Sequence, residues 1–239
     1  MNDSPLRIGT WLSVGSPVIA ELAAECGFDW VLLDLEHGCE SESALPSQLR
    51  ALRGFNTQAI VRVGGPNPDL IGRVLDWGAH GIMVPHVNTV QDAFQVLKAA
   101  QYPPHGRRGY SRTVRAYGYG LRPPGDQPPA PLVIAQIETL EGVEHAQEIA
   151  AVAGIDALFV GPADLNFDLK AHHSARTYDE CLQRVAKAAA DHKKVSGILV
   201  RSLDDVPKMK ALGFTMLAVG SDLSLMRDGF LKNLEAVRS

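Results

Sequence analysis

Cysteine is scarce in this sequence, and the three residues present are scattered. They are Cys26, Cys39 and Cys181, and no two of them form a CxxC motif. That motif is typical of zinc sites and redox-active dithiols, so neither is predicted, and the cysteines are expected to be reduced and structural. The protein is predicted to be cytoplasmic, because the sequence shows no apolar signal core and no run of the ~20 apolar residues that span a bilayer.

The sequence also lacks an excess of basic charge. Its 23 Lys and Arg residues against 27 Asp and Glu residues give a formal net charge of -4. The basic residues form no stripe, which excludes nucleic acid and anionic membrane surfaces as partners and leaves small-molecule substrates. The 239 residues suffice to bury a substantial core.

The most informative stretch is a short apolar run that ends in ionisable side chains. Residues 30–33 are all large and apolar, and Asp34, Glu36 and His37 follow them. The run is typical of a strand covered on both faces, and ligands bind at the carboxyl ends of parallel strands. Asp34 is close enough to His37 to orient its imidazole as a general base. The alternative is that the two carboxylates cap the next helix and His37 lies in a loop.

Strand-like and helix-like segments alternate eight times along the chain. The predicted strands cover residues 6–12, 30–33, 58–63, 80–85, 132–138, 155–160, 195–200 and 214–219. This pattern predicts one domain, residues 1–239, folded as a (β/α)8 TIM barrel, with a doubly wound open sheet as the alternative. The pattern lapses between Tyr102 and Pro131, and so long a loop is usually a lid, a binding loop or an interface.

Polar side chains follow several of the predicted strands and should share one rim of the barrel. Arg62 ends strand three, Gln136 and Glu138 end strand five, and Asp164 lies just beyond strand six. Glu138 and Asp164 would form a hard oxygen site that suits Mg²⁺ or Mn²⁺, whereas zinc more often recruits histidines. Arg62 could bind an oxyanion beside the metal, pair with a rim carboxylate, or do both. The turn before Asp164 could present the amides of Ala163 and Asp164 to a carboxylate.

Seven motifs, in order along the chain, together resemble one family. They are Asp-x-Glu-His-Gly, Val-Arg-Val, Gly-Ile-Met-Val-Pro, Tyr-Pro-Pro-His-Gly-Arg-Arg-Gly, Gln-Ile-Glu-Thr, Gly-Pro-Ala-Asp-Leu and Ala-Val-Gly-Ser-Asp. Through them nearly the whole chain resembles the 4-hydroxy-2-oxoheptanedioate aldolase family of class II pyruvate aldolases. The resemblance implies a metal-dependent enzyme that reversibly cleaves a 4-hydroxy-2-oxo acid to pyruvate and an aldehyde.

The resemblance also implies roles for individual residues. Glu138 and Asp164 would bind the divalent ion, which would be Mg²⁺, Mn²⁺ or Co²⁺. Arg62 would contact the keto oxygen of the substrate. His37, supported by Asp34, would be the acid/base that acts through water.

Further substrate contacts and an assembly are implied in the same way. Gln136 would line the pocket, the amides of Ala163 and Asp164 would hold the pyruvate carboxylate, and Asp76 would reach a neighbouring subunit's site. Members of the family are commonly hexamers that exchange their last helix between protomers.

Two segments each have alternative roles. Residues 166–173 depart from the serine- and glycine-rich segment usual in the family, and their His172-His173 pair is either a second metal site or solvated. The segment is predicted to be irregular. Residues 107–115 are rich in arginine and either gather acidic substrates or form an interface or a solvated loop.

Two other functions compete with the aldolase prediction. One is a lyase acting on acyl-CoA esters such as malyl-CoA or citryl-CoA, and the other is a non-catalytic barrel that binds 2-oxo acids. A Schiff-base mechanism is not expected, because none of the eight lysines lies in or at the carboxyl end of a predicted strand.

Overall fold

The eight predicted strands form one closed parallel barrel. The computed structural model describes residues 5–39, 41–125 and 128–238, so both ends of the predicted domain 1–239 lie outside the described residues. Each strand pairs with its neighbours in chain order, and the last closes against the first. The (β/α)8 prediction is confirmed, and the open-sheet alternative is wrong. The strands are β1 (Arg7–Leu12), β2 (Trp30–Asp34), β3 (Gln58–Arg62), β4 (Gly81–Val84), β5 (Leu132–Ile137), β6 (Ala157–Val160), β7 (Val195–Val200) and β8 (Met216–Ser221).

Helices surround the barrel and connect its strands. Several begin with side-chain caps, and Thr89 and Thr177 each form a capping box with the acidic residue three positions later. No helix in the described ranges is both long and apolar enough to cross a membrane. The helices are α1 (Pro17–Glu25), α2 (Leu45–Ala51), α3 (Pro68–Asp76), α4 (Val90–Ala100), α5 (Leu140–Glu144), α6 (Ala146–Ala151), α7 (Pro162–Ala171), α8 (Tyr178–Asp191), α9 (Val206–Ala211) and α10 (Asp222–Arg238).

The segment that follows β6, predicted to be irregular, is largely the helix α7. Pro162 takes its first position, where a missing amide hydrogen costs nothing. Leu165 and Leu169 lie one turn apart and are buried, so the helix has an apolar stripe despite its polar composition. The prediction of an irregular segment was wrong because two leucines suffice to dock a short helix on the barrel.

Aromatic rings fill the inside of the barrel, and two glycines make room for them. Trp30 and Phe159 are fully buried and meet edge to face with their ring centroids 6.0 Å apart. A Cβ atom on Gly9 would lie 2.2 Å from the Trp30 ring, and one on Gly197 would lie 2.3 Å from Phe159. Neither glycine can therefore be enlarged without displacing a ring, since protein interiors are close-packed.

The long loop between α4 and β5 lies at the rim formed by the amino ends of the strands. In its short 3₁₀ segment, Arg115–Gly120, Arg115 donates hydrogen bonds to two carbonyl oxygens. One belongs to Trp77, which follows α3, and the other to Leu49, which lies in the last turn of α2. In a (β/α)8 barrel this rim is opposite the catalytic one. The loop therefore cannot cover, or gather substrates for, the site of its own chain, and an interface or solvated loop remains for residues 107–115.

Candidate active site

The central feature of the carboxyl-end rim is a buried ion pair between β2 and β3. Strand register places Asp34 directly beside Arg62. The guanidinium donates two parallel hydrogen bonds to the carboxylate, Nε to Oδ1 at 2.9 Å and Nη2 to Oδ2 at 2.6 Å. Only 1% of Asp34 and 6% of Arg62 is exposed. The pair is a bidentate contact removed from water, which makes it strong and directional.

Glu36 and Trp11 complete the surroundings of Arg62. Glu36 Oε2 lies 2.8 Å from Nη1, and the Trp11 ring faces the guanidinium carbon at 5.0 Å. Trp11 also donates a hydrogen bond from Nε1 to Asp34 Oδ2 at 3.1 Å. Arg62 thus pairs with two carboxylates at once, and the ion-pair alternative for this residue is observed.

These contacts fix the charges of the pair. Burial disfavours an ionised Asp34, but its hydrogen bonds with Arg62, the charge of that residue and the amides of His37 and Glu36 together lower its pKa. Burial also disfavours the guanidinium, yet Asp34, Glu36 and Glu138 together raise the pKa of Arg62. Both side chains stay charged, and the two carboxylates hold the guanidinium in a fixed position.

His37 lies in the turn after β2 with 68% of its side chain exposed. Its backbone amide donates to Asp34 Oδ1 at 3.3 Å, while its ring Nε2 lies 3.9 Å from Glu36 Oε1. The carboxylate nearest the imidazole is therefore Glu36, and Asp34 holds the main chain of the turn rather than the ring. The expected orientation of the ring by Asp34 is not present, because Arg62 and Trp11 engage the Asp34 oxygens. Gly38 keeps the turn tight, since a Cβ there would lie 2.0 Å from the Asp34 carbonyl oxygen.

Glu138 lies at the end of β5 and is only 2% exposed. Its Oε2 accepts a hydrogen bond from Gln136 Nε2 at 2.6 Å, and its Oε1 accepts one from the His86 amide at 2.8 Å. Burial raises the pKa of Glu138, the nearby His86 lowers it, and the charges of Asp164 and Glu36 raise it further. Three carboxylates thus act on one another at this rim, and Arg62 and His86 oppose them.

Gly161 and the start of α7 form the wall beside Glu138. A Cβ on Gly161 would lie 2.5 Å from Glu138 Oε2, so only glycine fits there. Gly161 caps the helix without a side-chain hydrogen bond, and Ala163 and Asp164 lie exposed in its first turn. The first amides of a helix have no intrahelical acceptor, so these two can bind an anion.

The donor set of the rim fits a hard divalent cation. Glu138 and Asp164 supply carboxylate oxygens, and Gln136 Oε1 is buried without a hydrogen-bond partner. Within the described ranges, no three His, Cys, Asp or Glu side chains are arranged to hold a metal ion. A cation here would therefore use the carboxylate pair and leave several positions to water and substrate, as Mg²⁺ commonly does.

Asp76 lies outside this rim. It ends α3 at the opposite end of the barrel, where its Oδ1 accepts a hydrogen bond from Arg108 Nη2 at 2.6 Å. Asp76 therefore takes no part in the site of its own chain. A role in a neighbouring subunit's site stays a prediction.

The structure adds Trp11 and Asp222 to the site, and it gives Glu36 and His86 definite contacts there. Glu36 and Trp11 surround Arg62, and His86 contacts Glu138. His86 has a left-handed backbone, with φ 54°, and its Nδ1 lies 3.1 Å from Glu138 Oε1. Asp222, after β8, accepts hydrogen bonds from the amides in the turn after β1. Trp11 is the penultimate residue of β1 and Asp222 directly follows β8, and a position near the carboxyl end of a strand was the available signal.

Residues 7–229 match the protein-family model described as HpcH/HpaI aldolase/citrate lyase. The chain belongs to this family. It is 35% identical over 238 residues to a 5-keto-4-deoxy-D-glucarate aldolase from Klebsiella pneumoniae, covering 98% of this chain and 93% of that protein. It is 36% identical over 239 residues to a hydroxypyruvate/pyruvate aldolase from Delftia acidovorans, covering 97% and 88%.

Solved structures show the same relationship. An HpcH/HpaI aldolase/citrate lyase family protein from Burkholderia cenocepacia superposes with a TM-score of 0.91 and is 33% identical, covering 100% of this chain and 97% of that one. The predicted family resemblance is confirmed. The protein is an enzyme, a carbon–carbon lyase of the class II pyruvate aldolase group.

Proposed function

We propose that Glu138 and Asp164 hold a divalent cation, Mg²⁺, Mn²⁺ or Co²⁺, and that the site reversibly cleaves a 4-hydroxy-2-oxo acid to pyruvate and an aldehyde. The observation that carries this proposal is the burial of Glu138, which is only 2% exposed at the catalytic rim. Burial raises the pKa of Glu138, and the charges of Asp164 and Glu36 raise it further. A buried carboxylate near like charges is stabilised as an anion by a cation. When bound, the ion supplies positive charge that stabilises the developing enolate oxygen.

The start of α7 would hold the carboxylate of the 2-oxo acid. The amides of Ala163 and Asp164 have no intrahelical acceptor and lie beside Glu138. Gln136 holds one oxygen of Glu138 in place. Arg62 would lie near the keto oxygen of the substrate. Its two hydrogen bonds with Asp34 fix the position of the guanidinium.

His37 would move the proton to and from the methyl carbon of pyruvate, through water. Its exposed ring at the mouth of the barrel can exchange protons with solvent, and an imidazole has ring nitrogens that can donate and accept a proton. Glu36 lies closest to the ring. Asp34 would contribute indirectly, since it holds both Arg62 and the turn that carries His37.

Exchange of the pyruvate methyl protons for deuterium in D₂O tests this proposal, because it reports enolate formation without any knowledge of the aldehyde. We expect exchange by the metal-loaded enzyme and none after chelation. In Glu138→Gln the metal should bind more weakly, so that half-maximal exchange requires a higher metal concentration. Glu141→Gln makes the same chemical change on an exposed carboxylate of α5 and should behave as wild type. Unchanged exchange after exhaustive chelation would contradict the proposal.

The acyl-CoA lyase alternative has a direct test in the same preparation. Both curated relatives described above are named aldolases. Their names favour a substrate that is cleaved to an aldehyde over a CoA thioester substrate. Cleavage of malyl-CoA or citryl-CoA at a rate above that of pyruvate–aldehyde addition would reverse this preference. The cytoplasmic location expected from the sequence stays a prediction.

The surface of α10 supports the proposal of a homo-oligomer, a hexamer by family resemblance. Asp222 is the one buried residue recorded in this helix, which packs on β1 and β8. Seven of its apolar side chains are at least 41% exposed, namely Leu223, Leu225, Met226, Phe230, Leu231, Leu234 and Val237. On α1, Val18 and Leu22 are 70% and 60% exposed. A second copy of the chain that exchanges α10 would cover both surfaces.

A further inference from the structure

A cavity of about 580 Å³ lies at the rim formed by the amino ends of the strands, opposite the catalytic rim. It is bounded by the end of α2, by the starts of β3 and β4, and by the 3₁₀ segment of the long loop. Its volume is in the range typical of pockets for small organic ligands. None of its fifteen lining residues is acidic, although four are arginines and one is a histidine.

Three of these arginines have no counter-charge in the described part of the chain. Arg50, Arg53 and Arg122 take part in none of the ion pairs recorded there, whereas Arg62, Arg73, Arg108, Arg176, Arg184 and Arg227 are each paired with a carboxylate. Arg122 lies against the loop backbone, where a Cβ on Gly118 would come within 2.9 Å of its Nε. Unpaired guanidinium groups around one concave surface attract an anion.

Arg115 and His80 also line the cavity. Arg115 is anchored, since its Nη1 and Nη2 donate to the carbonyl oxygens of Trp77 and Leu49. Burial lowers the pKa of Arg115, Tyr119 opposes this, and the charges of Arg50 and Arg53 lower it further, so these groups lie within electrostatic range of one another. His80 Nδ1 accepts a hydrogen bond from the Ala59 amide at 3.0 Å, so the neutral ring carries its proton on Nε2 as a donor.

The rest of the cavity wall is apolar, and one of its residues has a strained backbone. Tyr119 has a left-handed backbone, with φ 59°, which costs a non-glycine residue free energy. Its ring is 61% exposed, and the neighbouring Leu121 is 88% exposed. Phe55 also lines the cavity. An occupant with an apolar or aromatic body could cover these side chains while its charged group meets the arginines.

We propose that this cavity binds a small organic oxyanion, a phosphate or carboxylate group on an apolar body, at a site separate from the catalytic rim. The anionic group would lie between Arg50, Arg53 and Arg115, and the body would pack on Tyr119. Strand β4 connects the cavity with the catalytic rim. His80 precedes this strand and His86, which contacts Glu138, follows it, a strand length of about 13 Å.

Calorimetric titration of the metal-free enzyme with phenyl phosphate at constant ionic strength tests the proposal. We expect saturable binding of one molecule per chain, and weaker binding of inorganic phosphate, which lacks the ring. In the double variant Arg50→Gln/Arg53→Gln the affinity should fall at least about tenfold, as expected for the loss of charge-assisted hydrogen bonds. Arg115 is left intact because its hydrogen bonds anchor the loop.

The matched control is Arg107→Gln/Arg112→Gln, which removes the same charge from exposed arginines outside the cavity. Its affinity should stay within about threefold of wild type, because these two arginines do not line the cavity and salt screens charges that act at longer range. Glu138→Gln should bind as wild type does. An equal loss in both double variants would show non-specific attraction and overturn the proposal. Removal of the Glu138 carboxylate would strengthen anion binding at the catalytic rim, so a changed affinity in Glu138→Gln would place the ligand there and overturn the proposal as well. The absence of saturable binding would also overturn it.

Discussion

The side chains of Gln136 and Glu138, two residues apart at the carboxyl end of β5, are joined by a hydrogen bond of 2.6 Å from Nε2 to Oε2. Both residues are only 2% exposed. Because alternate residues of a strand point to the same face, the amide and the carboxylate meet inside the barrel. The bond leaves Gln136 Oε1 without a partner, so the amide is oriented entirely by Glu138.

Gln136→Leu should destabilise the enzyme by about 1–3 kcal/mol, because a buried carboxylate oxygen loses its donor. Urea unfolding of the metal-free protein measures the change. Gln147→Leu is the control, since Gln147 donates a bond of 2.8 Å to Asp191 at the surface. That variant should change the unfolding free energy by no more than about 0.5 kcal/mol. Equal effects would contradict a special role for the buried pair.

Glu138→Gln should stabilise the metal-free enzyme at neutral pH. The pKa of Glu138 is raised above its ordinary value of 4.5, chiefly by burial, so between that pH and the folded pKa the folded state binds a proton that the unfolded chain has released. Wild-type stability therefore falls as pH rises through this window and stays lowered above it, while the glutamine variant does not titrate. The difference in urea midpoint should vanish at pH below 4.5. A less stable variant at neutral pH would contradict the raised pKa.

Asp34→Asn should cost about 3–5 kcal/mol of unfolding free energy, because it leaves Arg62 buried with an incomplete partner. The pKa of Asp34 is lowered below its ordinary value of 3.8, so the stabilisation is present above that value and is lost as pH falls through the folded pKa. Asp191→Asn, which breaks a surface pair with Lys187, serves as the control and should cost little. If the two variants unfold alike, the pair does not stabilise the rim.

His37→Ala should lower the rate of pyruvate methyl exchange by about 10²–10⁴ while leaving metal affinity and stability nearly unchanged. Stability should be retained because 68% of the side chain is exposed, so its removal loses little packing. His172→Ala removes a similarly exposed imidazole, 66% exposed, from the end of α7 and should retain the wild-type rate. Wild-type exchange in His37→Ala would assign the proton transfer to another group.

Leu231→Asp combined with Leu234→Asp should convert the assembly to a smaller species. The two side chains are 50% and 48% exposed on α10 of the single chain, so their replacement should not unfold the barrel. Asn233→Asp adds charge to the same helix at an exposed position and should keep the wild-type mass. Light scattering after size-exclusion chromatography measures the mass. A wild-type mass for the leucine variant would argue against burial of α10 by a second copy.

The barrel and the residues of its catalytic rim were predictable from local patterns. Residues 30–33 form an apolar run that ends in ionisable residues, and this marked both a strand and the end that carries the chemistry. The pairing of Asp34 with Arg62 could not be predicted from local patterns. It depends on the register of β2 against β3, which joins residues far apart in sequence. Proximity in sequence therefore favoured His37 as the partner of Asp34, and the structure gives that place to Arg62.

The location of the arginine-rich loop could have been derived without the structure. A segment that follows a helix and precedes a strand must lie at the amino ends of the strands in this fold. Its composition suggested a role in substrate capture, yet its place in the chain order argued against that. The helix α7 was harder to predict, because Leu165 and Leu169 are its only buried apolar residues. Two such positions give a weak periodic signal.

The packing of Trp30 and Phe159 over Gly9 and Gly197 closes the barrel axis to small molecules. The two rings are fully buried and touch edge to face, and Trp11 lies 5.7 Å from Phe159 on the side of the catalytic rim. No solute can therefore diffuse through the centre of the barrel from one rim to the other. An anion at the arginine-lined cavity and a substrate at Glu138 enter from separate faces of the molecule. Any influence of one on the other must travel through the strands, and it would alter the rate or the metal affinity without competing for substrate.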